Sequence, residues 1–132
     1  ITIPAEQQKT PKLKSAIRTT HGGALRDMQR WGEAIALGTD AHTLTPRSFH
    51  PCTLLGAINF ELGNYDLATT WYEKAVKRGA SENAIDRDLR GIFERADKAK
   101  REEIRAVLLR EDPVRYAWVD TFSAGKPAVR KK

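Results

Sequence analysis

Histidine, cysteine and paired carboxylates are the side chains with which this chain could do chemistry, and each set is sparse or badly spaced. His50 and Cys52 flank Pro51, a pairing that could begin a metal site. Zinc asks for about four ligands at recognisable spacing, and the remaining histidines, His21 and His42, supply no second pair. Cys52 is the single cysteine, so it has no partner for an internal disulfide and reads as a small core residue. Gly22-Gly23 is not followed by Gly-Lys-Ser/Thr, so it lacks the lysine and hydroxyl of a phosphate loop. Asp86/Asp88 and Glu102/Glu103 sit among Arg87, Arg90, Arg101 and Arg105. Such mixed charge reads as a solvated helix face with ion pairs worth about 0.2–0.5 kcal/mol each. No serine, histidine and acid set can be argued from spacing. The expectation is a chain with no catalytic residue, no cofactor and no metal.

The elements that must position any site are helices. Apolar residues recur at helical spacing throughout, and no segment alternates as a strand would. The spacing predicts a first helix over about 15–29, with Ile17, Ala24, Leu25 and Met28 on one side. A second over about 31–43 carries Trp31, Ala34, Ile35 and Gly38. Gly22 and Gly23 each weaken the first helix by roughly 1 kcal/mol relative to alanine, which makes sense if a neighbouring helix approaches there. Thr45-Pro46-Arg47-Ser48 breaks the pattern, and Pro51 fits the first turn of a third helix that runs to about Leu62. Gly63-Asn64 is the next turn, and a fourth helix over about 65–77 presents Tyr65, Ala68, Trp71, Tyr72 and Ala75, with Gly79 as its stop. Ser81 and Asp97 can cap a fifth and a sixth helix, striped by Ile85, Leu89, Ile92 and Phe93 and by Ile104, Val107 and Leu108. Asp112-Pro113 opens a short last helix with Tyr116, Trp118 and Val119.

Within this pattern lies a self-match at a spacing of 34 residues: Gly22, Trp31, Ala34, Ala41 and Pro46 recur as Gly56, Tyr65, Ala68, Ala75 and Ala80. A small residue where helices touch, an aromatic opening the second helix and a breaker after it are what a repeated helix hairpin needs. Leu55-Gly56 through Tyr65, then Ala68, Tyr72 and Ala75, resembles one tetratricopeptide repeat, and His21-Gly22 through Pro46 resembles another with Gly38 for Tyr72 and Gln29 for Gly63. The likeness is closest over 49–80, looser over 15–48, and fades beyond Ser81, where Arg101 and Arg105 stand at places for small or aromatic residues. The resemblance implies an all-α, right-handed superhelical stack of antiparallel hairpins, about six helices and a short capping helix. Its repeats would span about 15–48 and 49–82, with a capping hairpin and lid over 83–120.

In that family the first helix of each pair lines a concave face that grips a peptide or partner protein. Carried onto this chain, the face holds Arg26, His50, Thr53, Phe60, Arg87, Arg90 and Phe93, with Thr19, Gly23, Leu54 and Glu61 beside them. Arginine and aromatic residues are the types enriched in binding anchors. The competing reading packs Phe60 and Phe93 on neighbouring helices or beneath the C-terminal lid. Thr19, Gly23 and Leu54 stand where carboxylate-gripping members carry lysine and asparagines, which argues against a chaperone co-factor of that type.

The net charge of +6 invites a nucleic-acid reading. The excess lies in the ends: +2 over residues 1–14 and +4 over 121–132, with 16 bases and 16 acids between them. Both ends read as flexible basic tails flanking a neutral domain over 15–120. No apolar run approaches the ~20 residues of a membrane span, and no signal-like stretch opens the chain, so the expectation is a cytoplasmic protein. Because it begins at Ile1 rather than methionine, the chain reads as a processed product or the tail end of a longer protein, and the repeat pattern suits a module of a larger protein or complex. The leading expectation is a non-catalytic, protein-binding adaptor. The alternatives are nucleic-acid association through the tails, and a regulatory or oligomerising part of an enzyme.

Overall fold

A computed structural model describes residues 10–121. Over that span the chain is all α, with no strand among the described residues. Six helices follow one another: α1 Pro11–Asp27, α2 Trp31–Leu44, α3 His50–Glu61, α4 Tyr65–Lys77, α5 Glu82–Arg95 and α6 Lys98–Glu111. They group into two compact units, Ile1–Ile85 and Asp86–Lys132. No described helix is long and apolar enough to cross a membrane.

In the first unit α1 pairs with α2 and α3 with α4 as helix hairpins, and α3 packs on both α1 and α2. The two hairpin turns share their closing bonds at the 34-residue offset. Arg30 N–H donates to Leu25 O at 2.9 Å and Asn64 N–H to Asn59 O at 2.8 Å. Gln29 N–H donates to Arg26 O and Gly63 N–H to Phe60 O, at 2.8 and 3.1 Å. These turns need a left-handed residue to bring the chain back over the helix end. Gln29 supplies it at φ 60° and Gly63 at φ 87°. A residue with a Cβ pays roughly 1–2 kcal/mol for that conformation, so the second turn is the relaxed version of the first.

Three glycines are notches into which a neighbouring side chain fits. A Cβ on Gly56 would lie 2.9 Å from the ring of Tyr72 on α4. The equivalent of Tyr72 in the first hairpin is Gly38, and the space it leaves is taken from outside the hairpin. A Cβ on Gly38 would lie 2.9 Å from Leu55 Cδ2, and one on Gly22 would lie 2.8 Å from Leu54 Cδ2. The two leucines of α3 thus replace the missing ring and lock the hairpins together. Leu54 and Ile58 join Leu25 and Ala34 in the core, with Trp31, Ile35 and Leu37 packed against them.

Helix α1 departs from expectation at its start and in its facing. Thr10 Oγ1 accepts from Leu13 N–H at 3.1 Å and Pro11 opens the first turn, so the helix begins inside the segment expected to be a flexible tail. The side that is buried carries Ser15, Gly22 and Leu25. Ile17, Ala24 and Met28, expected to share a buried side with Leu25, face outward instead. The glycine notch explains the choice: α2 and α3 approach α1 closely only along the side that holds Gly22.

In the second unit, Leu89, Ile92 and Phe93 of α5 are buried, as are Ile104, Leu108, Tyr116 and Val119. Asp97 Oδ1 accepts from Lys100 N–H at 2.8 Å, the expected cap of α6. Arg101 donates to Phe93 O and Glu94 O, each at 3.1 Å, and so satisfies carbonyls that the end of α5 leaves open. Asp112 Oδ1 accepts from Val114 and Arg115 N–H as a cap would. The helix expected there does not form at once: 113–117 are turns, and helix resumes over 118–121. The basic residues Lys126, Arg130, Lys131 and Lys132 lie outside the described residues, as do those before Thr10.

Candidate functional site

The concavity that stands out in the first unit is a groove of about 560 Å³ between α1 and the segment joining α2 to α3. Lys12, Ser15, Ala16, Thr19 and Thr20 line it from α1, Thr45 and Ser48 from the connection, and His50 from the first turn of α3. Those α1 residues fall three or four apart along one flank of the helix, so one face of a single element builds that whole wall.

Five of the eight lining residues carry hydroxyls, and most of these already have partners. Ser15 Oγ donates to Ala41 O at 3.0 Å and lies 2.6 Å from Thr45 Oγ1. Thr19 Oγ1 donates to Ser15 O at 2.8 Å, and Ser48 Oγ accepts from His50 N–H at 3.3 Å. With the oxygens turned to backbone, the threonine methyls and Ala16 give the groove a largely carbon wall. Lys12 and the His50 imidazole supply its remaining polarity, and no carboxylate lines it. An occupant of matching chemistry carries small apolar side chains and a negative group.

Of the seven residues assigned to a groove from sequence, four lie in the first unit and only His50 borders this one. Arg26 is half-buried and its Nε donates to Glu61 Oε1 at 2.8 Å, with each side chain 16% exposed, which bolts α1 to α3. Thr53 Oγ1 donates to His50 O at 2.9 Å. Phe60 is 2% exposed and meets the Tyr65 ring edge-on, centroids 5.1 Å apart. It is a core residue and offers no partner an anchor.

The other three lie in the second unit. Phe93 is 1% exposed and stands edge-on to Trp118 at 5.7 Å, so it too serves the core. Arg90 places its guanidinium 5.0 Å from the centre of the Trp118 ring, a cation–π contact. Arg87 is exposed. Asp86, expected beside them, takes a two-pronged bond from Arg115, with Nη2 2.8 Å from Oδ1. Arg115 also lies over Tyr116, 4.9 Å from the ring centre. Burial pushes the Tyr116 phenol up to about 12, and the carboxylates of Asp86, Glu111 and Asp112 act in the same direction.

Comparison with family models, curated proteins and solved structures returns no match.

Cys52 does not meet His50, its neighbour in sequence. Its Sγ lies 3.8 Å from His42 Nδ1, and His42 stands edge-on to Trp71 at 5.1 Å. Burial lowers the His42 pKa, helped by Arg78 and Lys74, and burial raises that of the Cys52 thiol. The pair is thus held neutral, and the buried Cys52 has no path to a substrate. Among the described residues no group of three or more His, Cys, Asp or Glu side chains could hold a metal ion.

Lys12, Ser15, Ala16, Thr20, Thr45 and Ser48 are the lining residues that sequence reasoning missed. Thr10-Pro11 was the signal for Lys12, since a capping hydroxyl before proline marks a helix start. No comparable signal existed for Thr45 and Ser48, which reach the groove only because the α2–α3 connection folds back over α1.

Proposed function

We propose that this chain is a non-catalytic, tetratricopeptide-like interaction module that takes an extended peptide of a partner protein in the groove between α1 and the start of α3. The groove itself carries the reading: its volume lies within the roughly 300–1,000 Å³ of ligand sites, with carbon walls, a lysine and a histidine. The closing bonds shared by the two hairpin turns support the family assignment. A peptide pairing one carboxylate with small aliphatic side chains has the matching chemistry. Its carboxylate sits toward Lys12 and the N-terminal end of α3, whose helix dipole favours negative charge, and its aliphatic groups sit against Ala16 and the threonine methyls.

Fluorescence polarisation with a library of labelled peptides, acidic, basic and neutral, tests this. Acidic-aliphatic peptides are expected to bind the wild type. His50→Glu, which adds a negative charge beside the groove, and Ser48→Trp, which fills it, are expected to abolish that binding while the circular dichroism stays helical. Binding by no peptide, or by both variants as well as by the wild type, removes the groove from consideration.

A further inference from the structure

The outward side of α1 carries exposed apolar residues toward both of its ends, with Thr20 and His21 exposed between them. Leu13 is 48% exposed, Ile17 43% and Met28 55%, and Ala24 is exposed between them. Their spacing of four, seven and four residues puts them on one side of the helix. A soluble helix ordinarily turns charge to the side facing away from its core.

The repeat shows what such a face is built for. Shifted by 34 residues, Ile17, Gly23 and Ala24 become Pro51, Ala57 and Ile58 of α3. All three of those are buried, Ala57 at 1% and Ile58 at 0%. They are covered because another hairpin lies against α3. On α1 a Cβ at Gly23 would meet no atom within 4 Å among the described residues. Gly23 therefore weakens the helix without admitting any neighbour among the described residues, although a glycine with its neighbour Ala24 lets a second helix come close.

Charge selects the occupant. Lys12 and Asp27, both exposed, lie on the same flank of the stripe at its opposite ends. An antiparallel copy of α1, related by a twofold axis near Thr20, sets Lys12 of each copy level with Asp27 of the other. The same operation places Leu13 near Met28 and Ile17 near Ala24, so the stripe is complementary to itself. A parallel arrangement would instead set lysine level with lysine and aspartate with aspartate. We infer that the outward face of α1 is a self-association surface, on which a second copy of this chain packs its own α1 antiparallel to form a twofold dimer. A self-complementary patch of this kind closes at two copies and leads to no open chain of subunits.

Sedimentation equilibrium of the full chain from about 1 to about 100 µM, the range of modest interfaces, tests it. A monomer–dimer equilibrium is expected. Ile17→Glu or Ala24→Glu, each placing two like charges in a closed interface, weakens it by roughly tenfold or more. Leu67→Glu, an equally exposed apolar site on α4 at 49%, leaves it unchanged. Lys12→Glu and Asp27→Lys each weaken the dimer several-fold, and the double variant, with the charges exchanged, recovers it. Circular dichroism confirms that every variant remains helical. A monomer at all concentrations overturns the inference, as does a dimer indifferent to Ile17→Glu or a double variant as weak as the singles.

Discussion

Gly22 and Gly23 are adjacent on α1 and have opposite surroundings, so replacing each with alanine separates helix propensity from packing. Both substitutions gain the same backbone term, about 1 kcal/mol. At Gly23 nothing lies within 4 Å of the new Cβ, and the full gain is expected as stability. At Gly22 the Cβ arrives 2.8 Å from Leu54 Cδ2, with Ala34 O and Leu37 Cβ behind it at 3.5 and 3.6 Å. Leu54 must retreat by several tenths of an ångström inside a packed core, and overpacking of that kind costs about 1–3 kcal/mol. Gly22→Ala is therefore expected to be neutral to destabilising by about 2 kcal/mol, and the two neighbours should differ by about 1–3 kcal/mol. Gly56→Ala should fall lower still, because the Tyr72 ring at 2.9 Å is rigid and must move as a whole. Urea denaturation followed by far-ultraviolet circular dichroism, at one fixed low protein concentration, gives the midpoints. The expected order of stability is Gly23→Ala, wild type, Gly22→Ala, Gly56→Ala. Equal stabilisation by Gly22→Ala and Gly23→Ala would refute the close approach of α3 to α1 on which the fold of the first unit is argued.

Two further outcomes follow from the titrating groups. The Tyr116 phenol, with its pKa pushed up to about 12, keeps its proton when folded at pH values where the unfolded chain has lost it. Between pH about 10 and 12 the folded state thus binds more protons and stability falls as pH rises; Tyr116→Phe should flatten that alkaline decline in pH-dependent denaturation. The Cys52 thiol, buried and with its pKa raised, should react with a disulfide reagent at neutral pH only through opening of the fold. Its labelling rate should rise steeply with denaturant, and prompt labelling of the native protein would refute the burial.

Much of this architecture was legible before folding. Asp97 and Ser81 each hold a side-chain oxygen on an N–H of the first turn, a preference local enough to read from a few residues, and Thr10 does the same inside the segment expected to be a tail. The turns at Gln29 and Gly63 were equally legible as a pair, although the glutamine made the first look weaker than it is. The roles of Phe60 and Phe93 were not legible, because a helix position three or four residues from another buried one can face either a groove or a core. Which it faces depends on Tyr65 in the one case and Trp118 in the other. The groove was hidden for a similar reason: its walls come from residues 12–20 and 45–50, brought together only by the fold.

Helical periodicity and capping follow from interactions within a turn or two of the chain, so the amino-acid order alone, with its 34-residue echo, decided that this protein would be helix hairpins. Which side of each helix would be covered was a tertiary decision. On α1 the apolar stripe of Leu13, Ile17, Ala24 and Met28 competed with the side bearing Ser15, Gly22 and Leu25, and the less apolar side won. It won because a glycine admits Leu54 to van der Waals contact, and dispersion at close range across three helices outweighs the burial of a few larger side chains at a distance.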